Sequence, residues 1–133
     1  MIYLDTSVVL AQLFSEDRVP PESLWGHTLV SSRLTEYETW TQLHGRGLAE
    51  SHGEAARALL GRLGLVELVP AVLARALEAF PGPSSVRTLD ALHLATCEFL
   101  RDAGQTVELA SYDRRMNDTA RAMGVPLFPD ADG

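Results

Sequence analysis

The chain has 133 residues, 46% of them apolar, and a formal net charge of −7, enough for one packed domain spanning 1–133 and too little for two. No run nears the roughly 18 apolar residues that span a bilayer, the first residues lack the basic flank and small-residue cleavage site expected of a signal peptide, and the one cysteine, Cys97, excludes an internal disulfide or a thiolate zinc cage, so a cytoplasmic protein without membrane contact is expected. All 11 basic residues are arginine, and the acidic balance argues against a nucleic-acid partner unless arginine forks or bound cations offset it.

The opening MIYLDTSVVL predicts a strand over 1–5 and a helix over 6–14, with Asp5 set between two apolar blocks. A carboxylate there is costly if it is desolvated and unpaired. Either it begins a turn, with Thr6 or Ser7 capping the helix, or something positive meets it. SEDRVPPES reads as a loop in which Pro20 and Pro21 open a short helical turn. A strand follows over 28–31. The pattern LTEYETWTQL predicts a helix from Leu34 to Leu43, closed by Gly45 and Gly47. Ser51 to Leu63 is an amphipathic helix and 65–69 a third strand. Ala71 to Phe80 is helical, PGPSS is a loop, and Thr88 to Ala103 is the longest helix, apolar on most sides and therefore central. A strand over 107–111, a helix from Asp113 to Met123 and a short strand over 125–128 complete the chain. This alternation predicts an α/β sandwich around a mainly parallel sheet. In such sheets ligands sit outside the carboxyl ends of the strands.

That rule selects four acids. Asp5 follows strand one and Asp113 follows strand four, while Glu38 and Asp90 sit in the early turns of two helices. Each has an ordinary alternative. Glu38 completes a T-x-x-E capping box with Thr35, Asp90 suits a helix dipole and Asp113 suits an N-cap. Those alternatives do not explain why all four fall on one rim, where mutual repulsion calls for a divalent cation. Carboxylate and water ligands suit magnesium or manganese. Glu36 is the rival to Glu38 but points to another helical face. His93, three residues after Asp90, reads as a packed core histidine, and Cys97 as a small core residue. Ser7 and Ser111 flank two of the acids and are candidates to hold metal-bound water or a phosphate oxygen. Trp25 and Trp40 read as core, interface or stacking residues.

The runs YLDTSVVL, SSRLTEYE, LDALHLATCEFL and LASYDRRMNDTARAMGVPL together resemble the PIN-domain ribonucleases, and among them the toxins of bacterial VapBC toxin–antitoxin modules. The resemblance spans essentially the whole chain. It implies a three-layer α/β/α domain, dependence on magnesium or manganese, and endonucleolytic cleavage of RNA. It aligns Asp5, Glu38, Asp90 and Asp113 with the family's acids, and Ser111 takes a place where relatives often carry threonine. Glu36 stays open as the alternative second acid.

The reaction that suits these acids is metal-assisted phosphodiester hydrolysis, with Asp5, Asp90 and Asp113 as metal ligands and Glu38 completing the catalytic set. Arg33, Arg87, Arg114 and Arg115 neighbour the site segments and are the expected phosphate contacts. A phosphoacceptor domain would need a lysine, and a haloacid-type phosphatase would read D-x-D where this chain reads DTS. The non-enzymatic rival is an inactive PIN fold that only binds a partner. The resemblance also implies a small antitoxin. A homodimer is expected through groups such as Leu13, Phe14, Trp40 and Leu43.

Overall fold

Side-chain alternation along the first strand divides the molecule. In the computed structural model, which describes residues 1–15 and 18–129, that strand is β1 (Ile2–Leu4). Glu16 and Asp17 of the SEDRVPPES loop and residues 130–133 of the expected domain lie outside the described residues. Ile2 and Leu4 enter one apolar cluster with Val8, Val9, Leu59 and Leu60. Tyr3 enters another with Leu94, Cys97, Met116 and Ala120. The first cluster is roofed by α1 (Thr6–Phe14), α2 (Arg33–Gly45) and α3 (Ala49–Leu60), the second by α5 (Thr88–Asp102) and α6 (Arg114–Ala122). A short helix, α4 (Pro70–Ala76), packs on α5. The result is three layers, α/β/α.

The sheet between the layers has the order β3 (Gly64–Val66), β2 (Leu29–Ser32), β1, β4 (Glu108–Ala110), with every pairing parallel. Tyr3 lies opposite Val30 on one side and Leu109 on the other. Both central strands are buried throughout, as a sheet covered on both faces requires. Because all strands run the same way, the residues that follow β1, β2 and β4 emerge at one rim. Among the described residues no helix is long and apolar enough to cross a membrane.

Four expectations need correction. The strand over 125–128 is a single bridge, Leu109 with Leu127, because Pro126 offers a carbonyl to Leu109 (2.8 Å) but has no N–H to extend the ladder. The helix after β3 stops at Ala76 rather than Phe80. The third helix spans Ala49–Leu60 rather than 51–63. Leu43 is sealed in the interior at 0% exposure, so it has no surface to give a dimer. The turn after Pro21 is a 3-10 helix over Glu22–Gly26, and Cys97 is a buried free thiol.

Candidate active site

Asp5 ends β1 and is itself the N-cap of α1, where the turn reading expected Thr6 or Ser7. Its Oδ1 accepts the Ser7 backbone N–H (3.1 Å) and the Ser7 hydroxyl. Its Oδ2 accepts the Ser111 hydroxyl at 2.7 Å. The two serines also accept from the loop after β4: Tyr112 N–H donates to Ser7 Oγ (3.0 Å), and Asp113 N–H donates to Ser111 Oγ (2.9 Å). Both hydroxyl protons are thus committed to Asp5, and the serines orient that acid rather than standing free for a water or a phosphate. Burial raises the Asp5 pKa, the charge of His93 and the serine hydrogen bonds partly offset that, and Asp113 adds to the rise.

Asp113 opens α6 as its N-cap. Oδ1 accepts from Arg115 N–H (2.9 Å) and Met116 N–H (3.2 Å), leaving Oδ2 toward Arg87 Nη2 at 3.3 Å. The N-cap role and the rim position therefore coincide in one side chain. Asp90, in the first turn of α5, meets Arg87 Nε at 3.4 Å. Burial raises the Asp90 pKa, as does Asp113, while Arg87 pulls it down.

Glu38 lies in α2, whose N-cap is Ser32, bonded to Leu34 N–H at 3.0 Å. Thr35 is thus inside the helix and forms no capping box with Glu38. Glu38 Oε1 accepts from Thr6 Oγ1 (2.6 Å) and His93 Nε2 (2.7 Å). Burial alone would raise the Glu38 pKa, but those two hydrogen bonds and the His93 charge outweigh it and lower it. Glu38 is therefore ionised at neutral pH, and Oε2 is left to the cleft.

Asp5, Glu38, Asp90 and Asp113 line one cleft of about 490 Å³. Leu34, Tyr37 and Leu89 form part of its apolar lip; Tyr37 is 65% exposed and Leu89 45%. Glu36 is outside it, 3.2 Å from Arg33 Nη1. Arg33 is drawn to Glu36 and Glu67 (Nε to Oε1, 2.7 Å) in a separate groove with Trp40 and Arg57, so it does not face the acids. Arg87 does. Arg114 and Arg115 start α6 with exposed side chains and do not line the cleft.

A family model described as "PIN domain" matches residues 2–122. The chain belongs to the PIN-domain family. Ribonuclease VapC46 of Mycobacterium tuberculosis is 36% identical over 131 residues, covering 96% of this chain and 95% of the relative. Ribonuclease VapC35 of the same species is 32% identical over 132 residues, with 96% and 95% covered. The PIN domain also superposes on a solved chain titled "Toxin-antitoxin complex from Klebsiella pneumoniae", with TM-score 0.65 over 94% of this chain and 95% of that one. At 19% identity that likeness shows the fold alone.

Sequence reasoning missed the polar network under this PIN domain's cleft. His93 is buried as expected, but it is bonded at both ring nitrogens, Nδ1 to the Tyr3 hydroxyl (2.7 Å) and Nε2 to Glu38. With Glu38 ionised, Nε2–H donates to it while Nδ1 meets the Tyr3 hydroxyl. Thr6 further touches Thr35 (3.2 Å), Thr35 bonds Ser31 (2.7 Å), and Ser31 donates to the Leu4 carbonyl (2.6 Å). The D-x-x-H spacing in α5 was the one available signal. It places His93 near Asp90 on one face of the helix, but does not reveal that His93 holds the Glu38 carboxylate.

Proposed function

We infer that this PIN domain is an endoribonuclease, the toxin of a type II toxin–antitoxin pair, which hydrolyses RNA phosphodiester bonds in the cytoplasm with a divalent cation, magnesium or manganese. The observation that carries this reading is the convergence of four carboxylates from four distant segments on one cleft, in a chain that aligns end to end with proteins named ribonucleases. Among the described residues, no three His, Cys, Asp or Glu form a ready-made cage. Such a cage is not what magnesium needs. It keeps several waters and binds through one or two carboxylates plus substrate phosphate, and this all-oxygen donor set fits that habit.

Asp5, Asp90 and Asp113 would hold the cation, which when bound acidifies a water and offsets charge on the phosphate. The chain's own residues do the rest. Ser7 and Ser111 fix the Asp5 carboxylate so that it need not reorganise. Thr6 and His93 occupy Glu38 Oε1, leaving Oε2 to accept a hydrogen bond from the attacking water. Arg87 bridges Asp90 and Asp113, where a phosphate oxygen can compete for its guanidinium. Water attacks phosphorus and the O3′ oxygen leaves, with no step using the RNA 2′-hydroxyl, so the products carry a 5′-phosphate and a 3′-hydroxyl.

The partners proposed are RNA as substrate, a small antitoxin and a second copy of the chain, the last to be read from sedimentation of the purified protein. The deciding experiment incubates purified protein with total RNA, with magnesium, with manganese or with chelator, and maps the new ends. Cleavage only with metal, leaving 5′-phosphates, is expected. Cyclic 2′,3′-phosphate ends, or equal cleavage in chelator, would sink the mechanism.

A further inference from the structure

Some of the arginines are claimed by carboxylates and others are not. Arg33, Arg75, Arg87 and Arg121 are each ion-paired to a carboxylate. Arg18 and Arg46 have no ion pair among the described residues. Arg46 lies 4.3 Å from the Phe14 ring centroid, and Arg18 5.6 Å from that of Tyr112. A guanidinium seated on a ring uses its flat face there and keeps its N–H edge for a planar or tetrahedral anion.

Both arginines line a groove of about 740 Å³ whose walls include Ser7, Leu10 and Gln42. Those three residues also line the acidic cleft. The two cavities therefore adjoin as a trough, with the carboxylates lining one part and Arg18 and Arg46 the other. Arg57 and Arg62 also sit on rings, those of Trp40 and Trp25, but neither lines the trough.

We propose that this trough carries the RNA strand away from the cleavage site, with Arg18 and Arg46 holding backbone phosphates. The assignment rests on the ribonuclease reading and deepens it. A chain of net charge −7 repels a polyanion at long range, so its grip has to come from local cations along the path. The exposed ring of Tyr37 at the cleft lip gives an unpaired base a stacking surface, which favours a single strand over a protein segment as the occupant.

The test measures binding of a fluorescein-labelled single-stranded RNA of mixed sequence, without divalent metal, across a series of salt concentrations. Each phosphate contact contributes about 0.7 to the slope of log affinity against log salt for single strands. The R18A/R46A double variant is expected to bind more weakly, with the slope flatter by about 1.4. The R18K/R46K variant keeps the slope, because the charge stays. Metal-dependent hydrolysis of bis(p-nitrophenyl) phosphate, which is too small to reach the trough from the cleft, stays at the wild-type rate in both. An unchanged slope in R18A/R46A overturns the proposal. So does a loss confined to binding of the antitoxin, which assigns the trough to a protein. Failure of the wild-type protein to hydrolyse either RNA or the small ester, with the slope change intact, instead removes the ribonuclease reading and leaves an RNA-binding trough.

Discussion

Asp5 is 4% exposed and stays usable because three donors converge on it, from Ser7 N–H, Ser7 Oγ and Ser111 Oγ. Replacing Ser111 by alanine removes one of those donors and also strands the Asp113 N–H. Losing a buried partner costs about 1–3 kcal/mol, so Ser111→Ala should lower the urea midpoint and slow cleavage; an unchanged midpoint would deny the serine its bridging role. Asp5→Asn and Asp90→Asn should each abolish RNA cleavage. Without metal Asp90→Asn should also melt higher at neutral pH, by about 0.5–2 kcal/mol as charge conflict with Asp113 is relieved. The sign follows from the raised pKa of Asp90 in the fold, which Asp5 shares. A folded carboxyl that binds protons more readily than the unfolded one makes stability fall as pH rises. Metal-free wild type should therefore gain stability as pH drops from neutral through the raised values, toward the ordinary carboxylate range. Asp90→Asn should gain less. Parallel melting curves at neutral and mildly acidic pH for the two proteins would contradict this.

At the scale of elements, α2 shows why position on a helix matters more than residue type. Glu36 and Glu38 are two residues apart, yet one faces Arg33 and the other His93, as the advance of about 100° per residue dictates. Glu38→Gln should therefore depress the cleavage rate far more than Glu36→Gln, compared at saturating RNA; the reverse order would move the catalytic face of α2. That rotation was legible in the sequence, as were β1, α1, α5 and β4, because apolar periodicity coincides there with a punctuating acid or glycine. The final strand was not legible. VPLF has strand composition, and only its placement beside Leu109, with Pro126 facing the ladder, reduces it to one bridge. The His93 network was hidden for a related reason. Its partners Tyr3 and Glu38 lie 90 and 55 residues away in sequence, beyond any local spacing rule. Arg33 shows the same limit: adjacency to a site segment did not reveal that Glu67 claims its guanidinium.

For the whole molecule, a cleft lined by four carboxylates is strongly negative before metal enters, and guanidinium is the side-chain group that pairs with carboxylate through two parallel hydrogen bonds. An antitoxin tail carrying an arginine or two into this cleft is the expected inhibitor. Wild-type protein should bind such a tail tightly, the Asp5→Asn/Asp90→Asn double variant should lose a large part of that affinity, and excess magnesium should compete. Isothermal titration at fixed metal concentrations reads all three. Affinity indifferent to both the mutations and the metal would put the inhibitor on another surface.

The sheet order also has a consequence for how the chain is made. β1 leaves the ribosome before the other strands, yet it lies between β2 and β4, and its second edge stays bare until Glu108–Ala110 is available to pair with it. An apolar strand edge, IYL, is thus open to wrong partners until β4 has emerged. The fourth acid, Asp113, arrives later still. A growing chain is consequently sticky well before it is dangerous, and nuclease activity should switch on only after Asp113 has emerged. A fragment ending at Ala103 should aggregate and leave RNA intact; a soluble fragment of that length with metal-dependent cleavage would show that the nuclease assembles without β4 and Asp113.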